Sequence, residues 1–165
     1  MIELNWLVIL ASALIPLVIG YLWYGLLFDK AWMKATGLTV EQVEAGNAAK
    51  IYGFALLFAV FFAVGLMPAV IHQAHVYASL ENLQVNEAGS EAYNFVADYM
   101  QKYGTNFRTF KHGTLHGFAT FLCIVFPALA TNAMFELKSW KYIFINAGYW
   151  AICAMLMGGV ISAWA

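Results

Sequence analysis

The sequence predicts an all-α integral membrane protein, a four-transmembrane-helix bundle with an extramembrane loop helix. Of its 165 residues 63% are hydrophobic and only 10% are charged, whereas soluble domains carry about 25% charged residues. Four apolar stretches contain no Asp, Glu, Lys or Arg, at residues 4–28, 51–71, 113–135 and 142–164. Each is long enough to cross the roughly 30 Å hydrocarbon core of a bilayer. Within that core a helix satisfies every backbone amide inside one segment.

We expect these stretches to form a single membrane domain over residues 1–165. The first stretch lacks a basic leading region and a small-residue cleavage site, so we interpret it as a retained helix and not as a signal peptide. Both cysteines, Cys123 and Cys153, fall inside apolar stretches, where a free cysteine packs as a small apolar residue. The net charge of −1 offers no basic face for nucleic acid.

Basic residues divide unevenly between the two sides of the predicted bundle. The connections between the first and second stretches and between the third and fourth together hold Lys30, Lys34, Lys50, Lys138 and Lys141. The loop 72–112 on the other side holds Lys102, Arg108 and Lys111. Because cytoplasmic loops carry the excess of Lys and Arg, we expect both termini and this loop to lie on the outer side of the membrane.

The loop 72–112 also contains a predicted amphipathic helix. Ser90 is a suitable N-cap and Gly104 a suitable C-terminal stop. The apolar and aromatic residues that share one face of this helix are Tyr93, Val96, Tyr99, Met100 and Tyr103. Such a helix is expected to lie on the outer membrane surface or to cap the bundle.

Small residues recur at intervals of four along each stretch, which favours close helix packing in lipid. The four sets are Ser12, Pro16 and Gly20; Ala55, Ala59 and Ala63; Ala119, Cys123, Pro127 and Thr131; and Ala154, Gly158 and Ser162. Two buried amides, Asn132 and Asn146, are predicted to lie at similar depth and could hydrogen-bond between the third and fourth stretches.

All four histidines flank the loop 72–112. His72 and His75 are three residues apart, and His112 and His116 are four apart, so each pair could share a helical face. If the antiparallel second and third helices are neighbours, up to four imidazoles could bind Zn²⁺ or Cu²⁺, or haem through one histidine from each helix. His116 is expected to face inward. The alternative is that histidine simply tolerates a membrane interface.

The sequence contains no motif for catalysis. The patterns HExxH, GxSxG, the P-loop and GxGxxG are all missing. The apolar stretches carry no acidic or basic residue of the kind that marks a proton or ion pathway. We therefore expect a protein that is not an enzyme.

Two regions of the chain resemble a bacterial family of small four-helix membrane proteins known as domain of unknown function 1761. The first has Asn5-Trp6, Gly20, Trp23-Tyr24-Gly25, Phe28, Trp32 and Gly37. The second has His116-Gly117, Asn132, Phe135-Glu136, Asn146, Gly148-Tyr149 and Gly158. The resemblance implies four spans and a bacterial envelope membrane, and it implies no activity. We expect Trp23, Tyr24 and Gly158 to be packing residues and the membrane to be the bacterial inner membrane. His72, His75 and His112 lie outside the resembling residues.

Three functions remain open from the sequence. The first is a non-enzymatic accessory or packing subunit that binds membrane lipid or another membrane protein, as a homo-oligomer or within a larger complex and without a cofactor. The second is a metal- or haem-binding redox or sensor protein that uses the histidines. The third is an oligomeric channel or transporter for small solutes.

Overall fold

The computed structural model describes residues 4–165, so the start of the predicted domain, residues 1–3, lies outside the described part. Four helices are long and apolar enough to cross a membrane: Trp6–Leu27, Ala48–Val70, Phe110–Phe135 and Trp140–Trp164. We call them spans one to four. The residues described here contain no strand, which confirms the predicted all-α class. Spans two and three begin three residues before the predicted start, after the capping side chains of Asn47 and Thr109.

Shorter elements connect the spans. They are the helices Asp29–Thr36, Val40–Glu44, Gln73–Ser79 and Glu91–Tyr103 and the 3₁₀ turn Glu81–Leu83. We call Asp29–Thr36 the connecting helix and Glu91–Tyr103 the loop helix. The loop helix confirms its predicted caps, since the Ser90 hydroxyl accepts a 3.0 Å hydrogen bond from the Tyr93 amide and the helix stops at Gly104. Its buried residues Ala92 and Val96 pack on Val85, so one face covers the preceding loop.

Span four is the centre of the bundle and contacts each of the other three spans. Of the 18 residues in its most apolar stretch, 44% are buried, whereas the corresponding share in the other three spans is 17–22%. Met157 and Ile161 of span four share a core with Ile9 of span one and Leu66 of span two. The positions of spans one, two and three are therefore all set against span four.

Span three lies against span four through glycines. A Cβ atom built on Gly113 would collide with the carbonyl oxygen of Gly158, and one built on Gly117 with the carbonyl oxygen of Ala154. A Cβ on Gly158 would in turn come within 3.1 Å of the Gly117 Cα. Small residues at such positions let two helix backbones approach closely, which matters in lipid because no hydrophobic driving force brings helices together there. The backbones of spans three and four thus touch directly.

The small-residue prediction is confirmed for span four, confirmed in part for span one, where Gly20 is only half-buried, and wrong for span three. Ser12, Pro16, Ala154, Gly158 and Ser162 are buried. On span two Ala59 and Ala63 are buried, whereas Ala55 is exposed. The predicted set on span three is exposed throughout: Ala119, Cys123, Pro127 and Thr131. The contacting face of span three carries Gly113 and Gly117 instead, because glycine allows a shorter backbone separation than alanine, cysteine or threonine does.

Span one is held against span four by two aromatic side chains from its π-helical segment Tyr21–Leu27. Trp23 Nε1 donates to the Ile145 carbonyl at 3.0 Å, and the Tyr24 hydroxyl donates to Asn146 Oδ1 at 2.8 Å. Asn146 Nδ2 donates to the Tyr142 carbonyl at 2.8 Å. The predicted pairing of Asn146 with Asn132 is therefore wrong, because the Asn146 amide turns towards span one and Asn132 lies on an exposed face.

Replacing Gly117 by leucine should destabilise the bundle, because the new side chain meets the fixed backbone of span four. We expect a loss of at least about 2 kcal/mol in the free energy of unfolding, measured by denaturant titration in mild detergent. The matched control is Gly65→Leu in span two, where no atom lies within 4 Å of the added Cβ. That variant should be neutral or slightly stabilised, since leucine is the better helix former. Equal losses for the two variants would contradict this packing.

Candidate metal centre

Three of the four histidines meet at one end of the bundle, which we call the histidine end. His72, His112 and His116 each offer one ring nitrogen, and these nitrogens all lie within 4.8 Å of one another. Their ring centroids are separated by 4.3 to 5.1 Å, and all three side chains are partly buried. His75 is exposed and is not part of this group. The four-histidine hypothesis is corrected to three.

A break between two helices places His72. His72 and His75 directly follow the second apolar stretch and are expected to share a helical face, but span two ends at Val70 and Ile71 is extended and fully buried. His72 is the N-cap of the next helix, Gln73–Ser79. Pro68 cannot donate the backbone hydrogen bond of an interior helical residue, which weakens the end of span two. The chain therefore turns, and His72 and His75 do not act as a helical ligand pair.

The alternation of histidine and glycine at the start of span three orients the other two ligands. His112 and His116 lie one turn apart on the same face, as predicted, and each is followed by a glycine that packs on span four. Successive residues of a helix point about 100° apart. Fixing the glycine face against span four therefore turns the histidine face towards the end of span two, where His72 lies.

The imidazoles of His72 and His112 contact each other directly. Their Nε2 atoms are 2.9 Å apart, so one nitrogen carries the proton and the other accepts it. Burial lowers the pKa of His72 below its usual value, and the nearby His116 and His75 lower it further. The neutral form, which is the one that binds metals, is thereby favoured. Tetrahedral zinc with Zn–N bonds of about 2.0–2.1 Å needs about 3.3 Å between nitrogens, so the two rings would separate by a few tenths of an ångström.

Phe107 covers one side of the three rings. Its ring stacks on His112 with 4.9 Å between centroids and 30° between planes, and it meets His72 edge-on at 6.4 Å. The backbone of Phe107 is left-handed, with φ of 63°, an uncommon conformation for a bulky residue. The Ser162 hydroxyl donates to the Phe107 carbonyl at 3.2 Å. Span four thus holds this unusual loop conformation next to the histidines.

Arg108 ties the same loop to the end of span four. Its Nε donates to the Ser162 carbonyl at 3.0 Å, and its Nη2 donates to the Ala165 carbonyl. The last carbonyls of a helix lack intrahelical partners, and the guanidinium supplies donors for two of them. From the sequence, Arg108 bears only on the orientation of the bundle in the membrane, because no neighbouring residue indicates a partner 54 residues away.

Gln73 fixes the residue next to His72. Its buried side chain donates from Nε2 to the Tyr103 carbonyl at 3.0 Å and to the Asn106 carbonyl at 2.9 Å. These bonds join the start of the helix Gln73–Ser79 to the segment that follows the loop helix. Nothing in the sequence indicates this contact, since a glutamine between two histidines can serve many purposes. The position of His72 therefore depends on the loop as well as on span two.

The three histidines form a donor set suited to a small transition-metal ion. In the described part of the chain, no carboxylate or thiolate joins the group, so its ligands would be three neutral imidazoles. Imidazole suits Zn²⁺ and Cu²⁺. Three protein ligands leave a fourth tetrahedral position for water or another ligand, as in zinc sites that exchange ligands.

Comparison with known proteins adds a family and no activity. No curated protein and no solved structure matches the chain. One family model, described as Protein of unknown function (DUF1761), matches residues 7–162. The match extends beyond the two regions that carry the resemblance and includes the loop and all three clustered histidines. The chain therefore belongs to the DUF1761 family.

Proposed function

We propose that this protein binds one divalent transition-metal ion, Zn²⁺ or Cu²⁺, at the histidine end of its membrane bundle. The observation that supports the proposal most directly is the convergence of ring nitrogens from His72, His112 and His116 within 4.8 Å. The ligands come from the end of span two and the start of span three. Bound metal would therefore crosslink two elements that are 40 residues apart in the chain.

A bare ion fits this geometry better than haem. A haem iron with two histidine ligands requires the whole macrocycle to lie between two opposed imidazoles. Here the His72 and His112 nitrogens are already in hydrogen-bond contact, and the three rings are packed 4.3 to 5.1 Å apart. A porphyrin would have to push spans two and three apart, whereas a single ion needs only a small ring movement.

The metal's role is proposed to be binding or sensing and not hydrolysis. Metal-assisted hydrolysis usually pairs the metal-bound water with a general acid or base. The cluster contains no carboxylate from the described residues. We further propose that the protein lies in a bacterial inner membrane with the histidine end on the periplasmic side, on the strength of the uneven Lys and Arg distribution.

An accessory role in contact with another membrane protein is the second candidate function. The loop helix buries Ala92 and Val96 but leaves the Phe95 ring 55% exposed. This ring lies outside the four spans and off the face that packs on Val85, so it is available to a partner protein. Exposed aromatic residues are enriched at protein interfaces. The same surface would serve a homo-oligomer or a larger complex.

Purified protein should bind about one Zn²⁺ per chain, and His116→Ala should weaken that binding. Removal of one of three protein ligands is expected to lower the affinity by at least about tenfold, which is the lower end of the losses seen even for outer-shell partners of metal ligands. Isothermal titration calorimetry in mild detergent measures the affinity, and elemental analysis measures the stoichiometry. His75→Ala is the matched control, because His75 lies outside the cluster, and its affinity should equal that of the unmodified protein. No zinc binding, or equal losses for both variants, would contradict the proposal.

Arg108→Gln should weaken metal binding although Arg108 is not a ligand. The substitution removes the two donors that tie the loop to the end of span four directly after Phe107, and it leaves the bond from Ser162 to the Phe107 carbonyl in place. Loss of a group that orients metal ligands typically lowers affinity about 10- to 100-fold. Lys111→Gln, which removes an exposed charge from the same segment, should leave the affinity close to that of the unmodified protein. If the two variants bind zinc equally well, the loop does not position the site.

A further inference from the structure

A cavity lies at the end of the bundle opposite the histidines. Its volume is about 560 Å³, and its walls come from span one, the connecting helix, the start of span two and Tyr149 of span four. Small-molecule sites usually have volumes of about 300–1,000 Å³. The cavity is independent of the metal centre, so a failure of either proposal leaves the other untouched.

Small side chains keep the space between spans one and two open at this end. Nearer the histidine end these spans pack tightly through Ile9, Ala63 and Leu66. At the cavity the facing positions are Gly20, Gly25 and Ala55. Gly20 and Gly25 belong to the motif through which the chain resembles its family, and the metal centre gives them no role.

Aromatic rings form the most distinctive wall of the cavity. The Tyr24 ring lies between Trp32, at 5.6 Å in an edge-on arrangement, and Tyr149, at 5.1 Å. The Tyr24 hydroxyl is already bonded to Asn146, and the Tyr149 hydroxyl donates to the Pro16 carbonyl at 3.0 Å. Both hydroxyl protons are thus already donated to acceptors within the protein. The rings remain available to a ligand, and aromatic faces attract cations.

The charge of the cavity also favours a cation. Among the described residues that line it, Asp29 is the one with a formal charge, and no lysine, arginine or histidine contributes. Asp29 is exposed at the start of the connecting helix, directly after span one. An ammonium group could pair with this carboxylate, whereas an anionic group would meet a like charge.

The cavity runs from the membrane surface into the hydrocarbon. Leu17 and Asp29 both line it. Leu17 lies near the middle of span one, Trp6–Leu27, whereas Asp29 follows the end of that span. One end of the cavity is therefore charged and lies at headgroup depth, and the other end is apolar and lies near the bilayer midplane. This is the profile of one amphipathic lipid.

We propose that the cavity binds one aminophospholipid of the phosphatidylethanolamine class. Its ammonium pairs with Asp29 and lies against the rings of Trp32 and Tyr24. One of its two acyl chains follows Leu17 and Ala55 towards the bilayer centre, and the other lies in the surrounding lipid. The binding is selective against anionic phospholipids, because Asp29 repels their headgroups.

Lipid competition tests this site. The protein is purified in mild detergent, incubated with equal amounts of phosphatidylethanolamine and phosphatidylglycerol of the same chain length, and examined by native mass spectrometry. We expect one bound lipid per chain, with a preference of about fivefold for phosphatidylethanolamine, the ratio produced by one exposed ion pair or cation–π contact. Asp29→Asn should bring the two lipids to about equal retention.

Glu44→Gln is the matched control. Glu44 is an exposed acid in the same connection between spans one and two, but it does not line the cavity. This variant should keep the preference for phosphatidylethanolamine. Ala55→Phe fills the cavity and should reduce retention of both lipids. If Ala55→Phe fails to fold, the comparison of Asp29→Asn with Glu44→Gln still decides the question. Equal retention by the unmodified protein, a preference for phosphatidylglycerol, or an unchanged preference in Asp29→Asn would overturn the proposal.

Discussion

The direct backbone contact between spans three and four determines the arrangement at the histidine end. Gly113, Gly117 and Gly158 allow a separation that no larger residue would permit, so the rotation of span three about its axis is fixed. That rotation decides where His112 and His116 point. Span four also receives the aromatic anchors of span one and the loop bonds of Arg108. The candidate metal centre is therefore a consequence of how span four organises its neighbours.

The two ends of the bundle differ in chemistry although the same four spans build both. At the histidine end, ring nitrogens converge and the loop is pinned to span four through Phe107 and Arg108. At the other end, the aromatic ring of Tyr24 and the carboxylate of Asp29 line an open cavity. Nitrogen donors suit a transition metal, and a carboxylate beside aromatic rings suits an ammonium group. We therefore propose two unrelated ligands for the two ends of this small fold.

The spans and the partial convergence of the histidines were predictable from the sequence, because hydrophobic length and antiparallel connection are local properties of the chain. The exclusion of His75 was not predictable. Pro68 marks a weak point near the end of span two, but the place where the chain turns depends on burial of the Ile71 side chain in the core. The pairing of Asn146 with Tyr24 instead of Asn132 depends on the rotation of span four relative to its neighbours. Helix rotation follows from the glycine contacts between spans. Gly113 and Gly117 are four residues apart, as are Ala119 and Cys123 on the exposed face of span three, so the interval alone does not tell which face packs on span four.

We propose that three histidines, one just after span two and two at the start of span three, bind one metal ion. X-ray absorption spectroscopy of the zinc-loaded protein tests it most directly, because the spectrum counts imidazole ligands and measures their distances. The account predicts three imidazole nitrogens at about 2.0–2.1 Å from zinc, with one further light-atom ligand. A zinc environment with no imidazole scattering, or with one histidine only, would contradict it.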